Sequence, residues 1–296
     1  MNEVVFAIPG NEPLARLLAA RQGAVEGALA LRRFPDGESY VRLDAPVSGR
    51  DVILVCGLDR PDEKLLPLVF AAGAARELGA TSVGIVAPYL GYLRQDRRFR
   101  DGEALTSAAF AKLLSGYADW LVTVDPHLHR YRSLEQIYSL RTAVAHAARG
   151  ISDWIQEQVE APLLVGPDAE SEQWVAEVAR LSGCPHIVLE KARRGDREVE
   201  VSAPAIERYR DRTPVLIDDI ISTGATMAEA VVRLVRAGMR APFCVAVHPV
   251  FADGAAAALI AAGAAKVVSC NTIAHPTNAI DVNRVVVEAV AQLRRG

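Results

Sequence analysis

Residues 215–226 read VLIDDIISTGAT, and few folds accommodate such a stretch. It opens on an apolar run of the kind a buried parallel strand needs. Asp218 and Asp219 fall at the end of that run, where successive side chains point to opposite faces, so the two acids can serve different tasks. Ser222, Thr223, Gly224, Ala225 and Thr226 follow as a small-residue loop, and a helix-like segment comes next. Backbone N–H groups and hydroxyls gathered at a helix N-terminus form a ready site for phosphate. Carboxylates beside it accept from vicinal hydroxyls or hold Mg²⁺, which suits a sugar phosphate. An ordinary strand–loop–helix turn does not require strand, acid pair and hydroxyl loop to coincide.

The chain has 296 residues, so two domains are expected. With 51% hydrophobic and 23% charged residues it has the composition of a soluble globular protein with a sizeable core. A net charge of -3 argues against a broad nucleic-acid surface. No apolar run is long enough to span a bilayer, and no basic-then-apolar leader is expected from the opening NEVVFAIPG, which reads as a strand and turn. Cys56, Cys184, Cys244 and Cys270 lack CxxC spacing, so buried free thiols and a cytoplasmic location are expected.

Short apolar runs at 52–56, 83–87, 121–124, 163–165, 186–189, 215–217, 243–247 and 266–269 read as buried strands. Helical periodicity lies between them, as in Leu65, Leu68, Val69, Ala72 and Arg76, or Ala230, Val231, Leu234 and Val235. This alternation predicts an α/β fold with mostly parallel sheets flanked by helices. Residues 143–150 (AVAHAARG) show no clear strand, which places the boundary there and predicts domains at 1–145 and 146–296. Residues 121–130 (LVTVDPHLHR) faintly echo VLIDDIISTG, a strand ending in an acid, as a duplicated domain would.

Five further segments fit one chemistry. FPDGESYVRL (34–43) has turn formers before a β-like run and by itself reads as a hairpin tip. PYLGYLRQDRRFR (88–100) gathers Arg94, Arg97, Arg98 and Arg100 with Tyr89, Tyr92 and Phe99, where guanidinium forks suit phosphate oxygens and aromatics suit a base. DPHLHR (125–130) ends a strand. His127 is its better candidate for a metal or phosphate, with His129 left open and a structural histidine as the plain alternative. Gly166-Pro167-Asp168 ends another strand in an acid suited to Mg²⁺. LEKARRGD (189–196) puts cations after a strand, as a lid over a phosphoryl group would, or as an exposed charged loop would. Ligands of open α/β sheets bind at the carboxyl ends of strands, where these loops belong.

FPDGE, RQDRR, DPH, the PD step, EKARR and DDIISTGAT occur in the order seen in ribose-phosphate pyrophosphokinases, and the chain resembles that family over nearly its whole length. The resemblance implies two tandem type I phosphoribosyltransferase-like domains. It implies transfer of the diphosphoryl group of ATP to the C1 hydroxyl of ribose 5-phosphate, giving phosphoribosyl pyrophosphate (PRPP) and AMP, with Mg²⁺. It also implies a homo-oligomer whose subunits share the site. By position, Phe34, Asp36, Glu38, Arg94 and Gln95 resemble ATP contacts. His127 and Asp168 resemble metal positions, and Lys191 with Arg193 the catalytic pair. Asp218, Asp219, Ser222, Thr223, Gly224, Ala225 and Thr226 resemble the ribose 5-phosphate site.

Three positions depart from the family pattern. Ser222 stands where many bacterial members have Asp, as in archaeal-type members, and Ala225 stands where Gly is usual, which requires φ < 0 there. Ala169-Glu170-Ser171-Glu172 replaces a glycine-containing diphosphate loop with two acids. The rival expectations are a PRPP-consuming phosphoribosyltransferase and a non-catalytic regulatory homologue.

Overall fold

The computed structural model describes residues 2–189, 192–194, 197–199 and 206–295, with residues 192–194 and 197–199 described in their backbone alone. The chain divides into two compact units, Met1–Ala145 with Asn283–Gly296, and His146–Val282.

The first unit is built on a seven-stranded sheet in the order β3-β2-β1-β4-β5-β6-β7. Its strands are β1 (Glu3–Ala7), β2 (Val25–Arg33), β3 (Ser39–Asp44), β4 (Asp51–Val55), β5 (Ser82–Ala87), β6 (Trp120–Val124) and β7 (Arg141–Ala145). All neighbours are parallel except β2 and β3, which form an antiparallel hairpin. Helices α1 (Glu12–Gln22), α2 (Pro61–Glu77) and α3 (Thr106–Ser115) make the crossovers. The strands β4, β5 and β6 are buried along most of their length, so they read as continuous apolar runs rather than alternating ones.

The second unit has a six-stranded, wholly parallel sheet built from β8 (Pro162–Gly166), β9 (His186–Val188), β12 (Thr213–Ile221), β13 (Phe243–Pro249), β14 (Lys266–Cys270) and β15 (Asn278–Ile280). Their order is β15-β14-β13-β12-β8-β9. Helices α4 (Ala148–Gln158), α5 (Glu172–Ser182), α6 (Ala225–Arg236) and α7 (Ala255–Ala261) belong to this unit. The strands β10 (Ala192–Arg194) and β11 (Arg197–Val199) form a separate antiparallel pair.

The two sheets share one topology. Reading β9-β8-β12-β13-β14-β15 against β2-β1-β4-β5-β6-β7 matches each strand in chain order and in sheet position. The units repeat one topology, but the resemblance of 121–130 to 215–224 does not follow it: the counterpart of β12 is β4, whereas residues 121–130 lie on β6, the counterpart of β14, and on the loop after it.

Three further expectations change. Residues 143–145 are the end of β7, whose Ala-rich sequence gives a weak apolar signal although its neighbour β6 fixes it by pairing. The second domain does not run to residue 296. Helix α8 (Asn283–Arg295) returns to the first unit, where Arg294 reaches Glu3 Oε1 at 2.5 Å and Asp51 Oδ2 at 2.6 Å. The segment after Leu189, expected as a lid or an exposed charged loop, contains the antiparallel β10–β11 pair.

Candidate active site

In an open parallel sheet a ligand crevice forms where the chain, having run to one side of a strand, crosses to the other. In the second unit that point lies between β8 and β12. β9 adds on one side of β8, and β12 then adds on the other, with Leu216 opposite Val165. The carboxyl ends of these two strands deliver Asp168 and the Asp218–Asp219 pair to one mouth.

The strand β12 continues through the acid pair to Ile221 instead of ending at it, held by pairing of Ile220 and Ile221 with His248 and Pro249. Asp219 is 6% exposed, and its N–H donates to Asp218 Oδ1 at 3.0 Å. Burial, and then the adjacent carboxylates of Asp219 and Asp168, push Asp218 up to about 8. In the ligand-free site near neutral pH, Asp218 therefore carries a proton for much of the time. Sequence alone showed two acids and did not show that burial, together with two neighbouring carboxylates, would disfavour ionisation of one of them.

The loop after β12 is tighter than expected. Ser222, Thr223 and Gly224 form it, and Ala225 and Thr226 already lie in the first turn of α6. Gly224 is the N-cap residue with φ 76°, a left-handed conformation that a Cβ disfavours, and the helix start receives no side-chain cap. Ala225 N donates to Thr223 Oγ1 at 3.5 Å, and a helix start of this kind, with no acid in its first turn, suits an anion. Ala225 is helical and is absent from the positive-φ residues, so its methyl group is accommodated. Ser222 O accepts from Ala252 N at 3.1 Å, which anchors the loop to the segment after β13.

Asp168 is the N-cap of a short 3₁₀ turn (Ala169–Ser171) that leads into α5. Its Oδ1 accepts from Glu170 N at 3.0 Å and Ser171 N at 3.2 Å, and Ser171 Oγ donates back to Asp168 O at 2.6 Å. The N–H groups that a glycine loop would present to diphosphate are here taken by Asp168 itself. The side chains of Glu170 and Glu172 are exposed. Among the described residues no group of three or more His, Cys, Asp or Glu side chains is arranged to hold a metal by itself. Asp168, Asp218 and Asp219 nevertheless repel one another electrostatically. Such a donor set fits Mg²⁺ bound through one or two carboxylates together with substrate oxygens.

In the first unit, His127 follows β6 with its ring 4.0 Å from that of His129, edge-on, so both stand in the same loop. Asp125, at the head of this loop, is 1% exposed and has φ 32°, a backbone state that costs energy for a non-glycine residue and often marks a functional turn. The sequence marks it as an acid ending a strand, without a site role. Arg130 Nη1 bonds Asp96 Oδ1 at 2.7 Å, tying this loop to the RQDRR segment. Arg94 is exposed, whereas Gln95 Oε1 accepts from Thr106 Oγ1 at 3.2 Å at the start of α3. The aromatics of that segment do not act together: Tyr89 is buried, and Tyr92 packs on Phe110 at 4.8 Å and bonds Asp62. Phe99, 58% exposed, stands out with Arg97 at 4.6 Å from its ring centre. Phe34, Asp36 and Glu38 sit on the β2–β3 hairpin turn. Phe34 N bonds Glu38 O at 2.8 Å there, and Asp36 Oδ1 accepts from Glu38 N at 3.1 Å. Lys191 lies outside the described residues, and Arg193 is placed on β10 by its backbone.

Two units built on mostly parallel sheets, with an acid pair and a glycine-initiated helix at the switch point of the second, have phosphoribosyltransferase architecture. Residues 3–117 match the N-terminal domain of ribose phosphate pyrophosphokinase, and residues 133–285 match the phosphoribosyl transferase domain. A ribose-phosphate pyrophosphokinase of Methanopyrus kandleri is 34% identical over 98% of this chain and 99% of its own, and one of Thermoplasma acidophilum is 32% identical over 97% and 98%. The crystal structure of phosphoribosylpyrophosphate synthetase from Mycobacterium smegmatis superposes with a TM-score of 0.84 at 25% identity, covering 100% of both chains. The chain belongs to the ribose-phosphate pyrophosphokinase family.

Proposed function

We infer that this protein is a ribose-phosphate pyrophosphokinase serving nucleotide biosynthesis. In the reaction, the C1 hydroxyl oxygen of ribose 5-phosphate attacks the β-phosphorus of ATP. The bond from that phosphorus to the α–β bridging oxygen breaks, AMP departs, and the hydroxyl proton passes to solvent. The observation that carries the reading is the acid pair Asp218–Asp219 beside the uncapped helix start at 222–226, at the switch point of the second sheet.

In this reading, Ser222, Thr223, Gly224 and the first N–H groups of α6 hold the 5-phosphate, and Asp218 and Asp219 accept from the ring hydroxyls. Phe34, Asp36, Glu38, Arg94 and Gln95 bind ATP, with the hairpin offered to a neighbouring subunit of a homo-oligomer. His127 and Asp168 are assigned as metal positions, and Mg²⁺ when bound would supply neutralisation of phosphoryl charge. Lys191 and Arg193 are assigned to stabilise the transferring group, since phosphoryl chemistry is chiefly positioning and charge neutralisation. The four cysteines are free thiols, which supports a reducing cytoplasm. No helix among the described residues is long and apolar enough to cross a membrane.

The test is AMP and PRPP formation from ATP, ribose 5-phosphate and Mg²⁺. AMP release strictly dependent on ribose 5-phosphate is expected, and Lys191→Ala should lower kcat by about 10²-fold or more with little change in ribose 5-phosphate affinity. No AMP with any nucleoside triphosphate or divalent metal, alongside saturable ATP binding, would establish a regulatory homologue instead.

A further inference from the structure

The β2–β3 hairpin has two unlike faces. Leu29, Val41 and Leu43 lie on one and pack against the core of the first unit. Strand alternation puts Arg32 and Tyr40, which the register places directly opposite each other, on the other face. Phe34 lies two residues beyond Arg32 at the turn, on that same outer side. The guanidinium carbon of Arg32 sits 4.6 Å from the ring centre of Phe34 and 4.3 Å from that of Tyr40, while the two rings meet edge-on at 6.2 Å and 84°. The second arginine of this face, Arg42, is engaged by Asp44 at 2.7 Å. An exposed phenyl ring at a hairpin tip ordinarily samples several rotamers, and ordering it opposes binding. Here a single cation bridges it to a half-buried tyrosine and limits that freedom before any ligand arrives.

We propose that Arg32 is a positioning residue for the nucleotide: it clamps Phe34 against Tyr40 so that the ring presents a fixed face to the base of ATP. The proposal rests on the reading that Phe34 contacts ATP. Two cation–π contacts at an exposed site correspond to about a fivefold change in apparent affinity.

The experiment is steady-state kinetics on Arg32→Met, Arg32→Lys, Phe34→Ala and the Arg32→Met/Phe34→Ala double variant. Arg32→Met should raise KM for ATP about fivefold, with kcat and the KM for ribose 5-phosphate essentially unchanged. Arg32→Lys should recover most of the loss, and the double variant should match Phe34→Ala alone. If Phe34→Ala raises KM for ATP but Arg32→Met does not, the clamp is refuted while the nucleotide reading of the hairpin stands. If Phe34→Ala has no effect on KM for ATP, that reading of the hairpin is itself refuted and the clamp falls with it. An additive double variant also overturns the proposal, because Arg32 would then be touching ATP directly.

Discussion

Asp218→Asn should stabilise the ligand-free protein, and the gain should grow with pH. The carboxyl group is raised from 3.8 to about 8 by burial and by Asp219 and Asp168. Its folded-state value lies above its unfolded one, so between those limits the folded chain binds a proton that the unfolded chain has released. Stability from this group therefore falls as pH rises through the window, with a slope of at most about 1.4 kcal/mol per pH unit. Two units inside the window, from pH 5.5 to 7.5, cost at most about 2.7 kcal/mol; solvent relaxation at the mouth of the sheet reduces this to about 1–2 kcal/mol. Asparagine keeps the shape, accepts from Asp219 N, and has no proton to release. Urea unfolding with EDTA and without phosphate, followed by the fluorescence of Trp154 and Trp174 in the second unit, measures both proteins at both pH values. The advantage of the variant should widen by about 1–2 kcal/mol at pH 7.5. An advantage equal at the two pH values would mean that Asp218 ionises normally, and the account of the acid pair would be wrong.

Asp168→Ala removes the cap of the turn before α5 and should cost about 1 kcal/mol in thermal unfolding, while Asp168→Asn, which keeps an acceptor, should cost much less. Both should lose turnover alike if the charge holds Mg²⁺; equal stability losses would refute the capping role. Arg294→Met should destabilise the first unit by about 2–3 kcal/mol by stranding Glu3 and Asp51, measured by thermal unfolding and by hydrogen exchange in β1 and α8. A change below about 0.5 kcal/mol would show that the ion cluster does not secure the last helix.

What was legible in the sequence was local and contiguous. The buried strands 83–87 and 266–269 announced themselves because both faces of a parallel sheet are covered, giving uninterrupted apolar runs. The 215–226 segment was legible for the same reason, with acids, hydroxyls and glycine adjacent in the chain. What was missed depends on distant partners. β7 is recognisable only through its pairing with β6, and α8 belongs to the first unit because Arg294 finds carboxylates that lie far away in sequence. Tyr89 and Tyr92 looked available to a base because aromatic density does not reveal burial. The raised pKa of Asp218 comes first from burial and then from Asp219 and Asp168, the last standing fifty residues earlier and brought close only by the β8–β12 pairing.

The two units share one topology, so the difference between their switch points lies in the side chains placed there. The first sheet has its own switch point, between β1 and β4, and a ligand crevice is expected there on topology alone. Asn11 occupies the place instead. Its Nδ2 donates to Ile8 O at 2.9 Å and its Oδ1 accepts from Gly57 N at 2.8 Å, stitching together the loops that follow the two strands. Lys64 adds bonds to Gly57 O at 2.9 Å and to Asp59 Oδ1 at 2.5 Å, and Asp62 and Glu63 in the first turn of α2 repel an anion. Cys56 beside them is an inert thiol, pushed up to about 12 by burial. Neither helix start has a side-chain cap, but β12 leads to a glycine-initiated helix with no acid in its first turn, whereas β4 leads to side chains that bond the loop backbone and to a first turn carrying Asp62 and Glu63. The second switch point instead gathers three acidic side chains beside a helix start with no acid in its first turn, and under the proposed function a phosphorylated, hydroxyl-bearing substrate with a divalent cation would offset that charge.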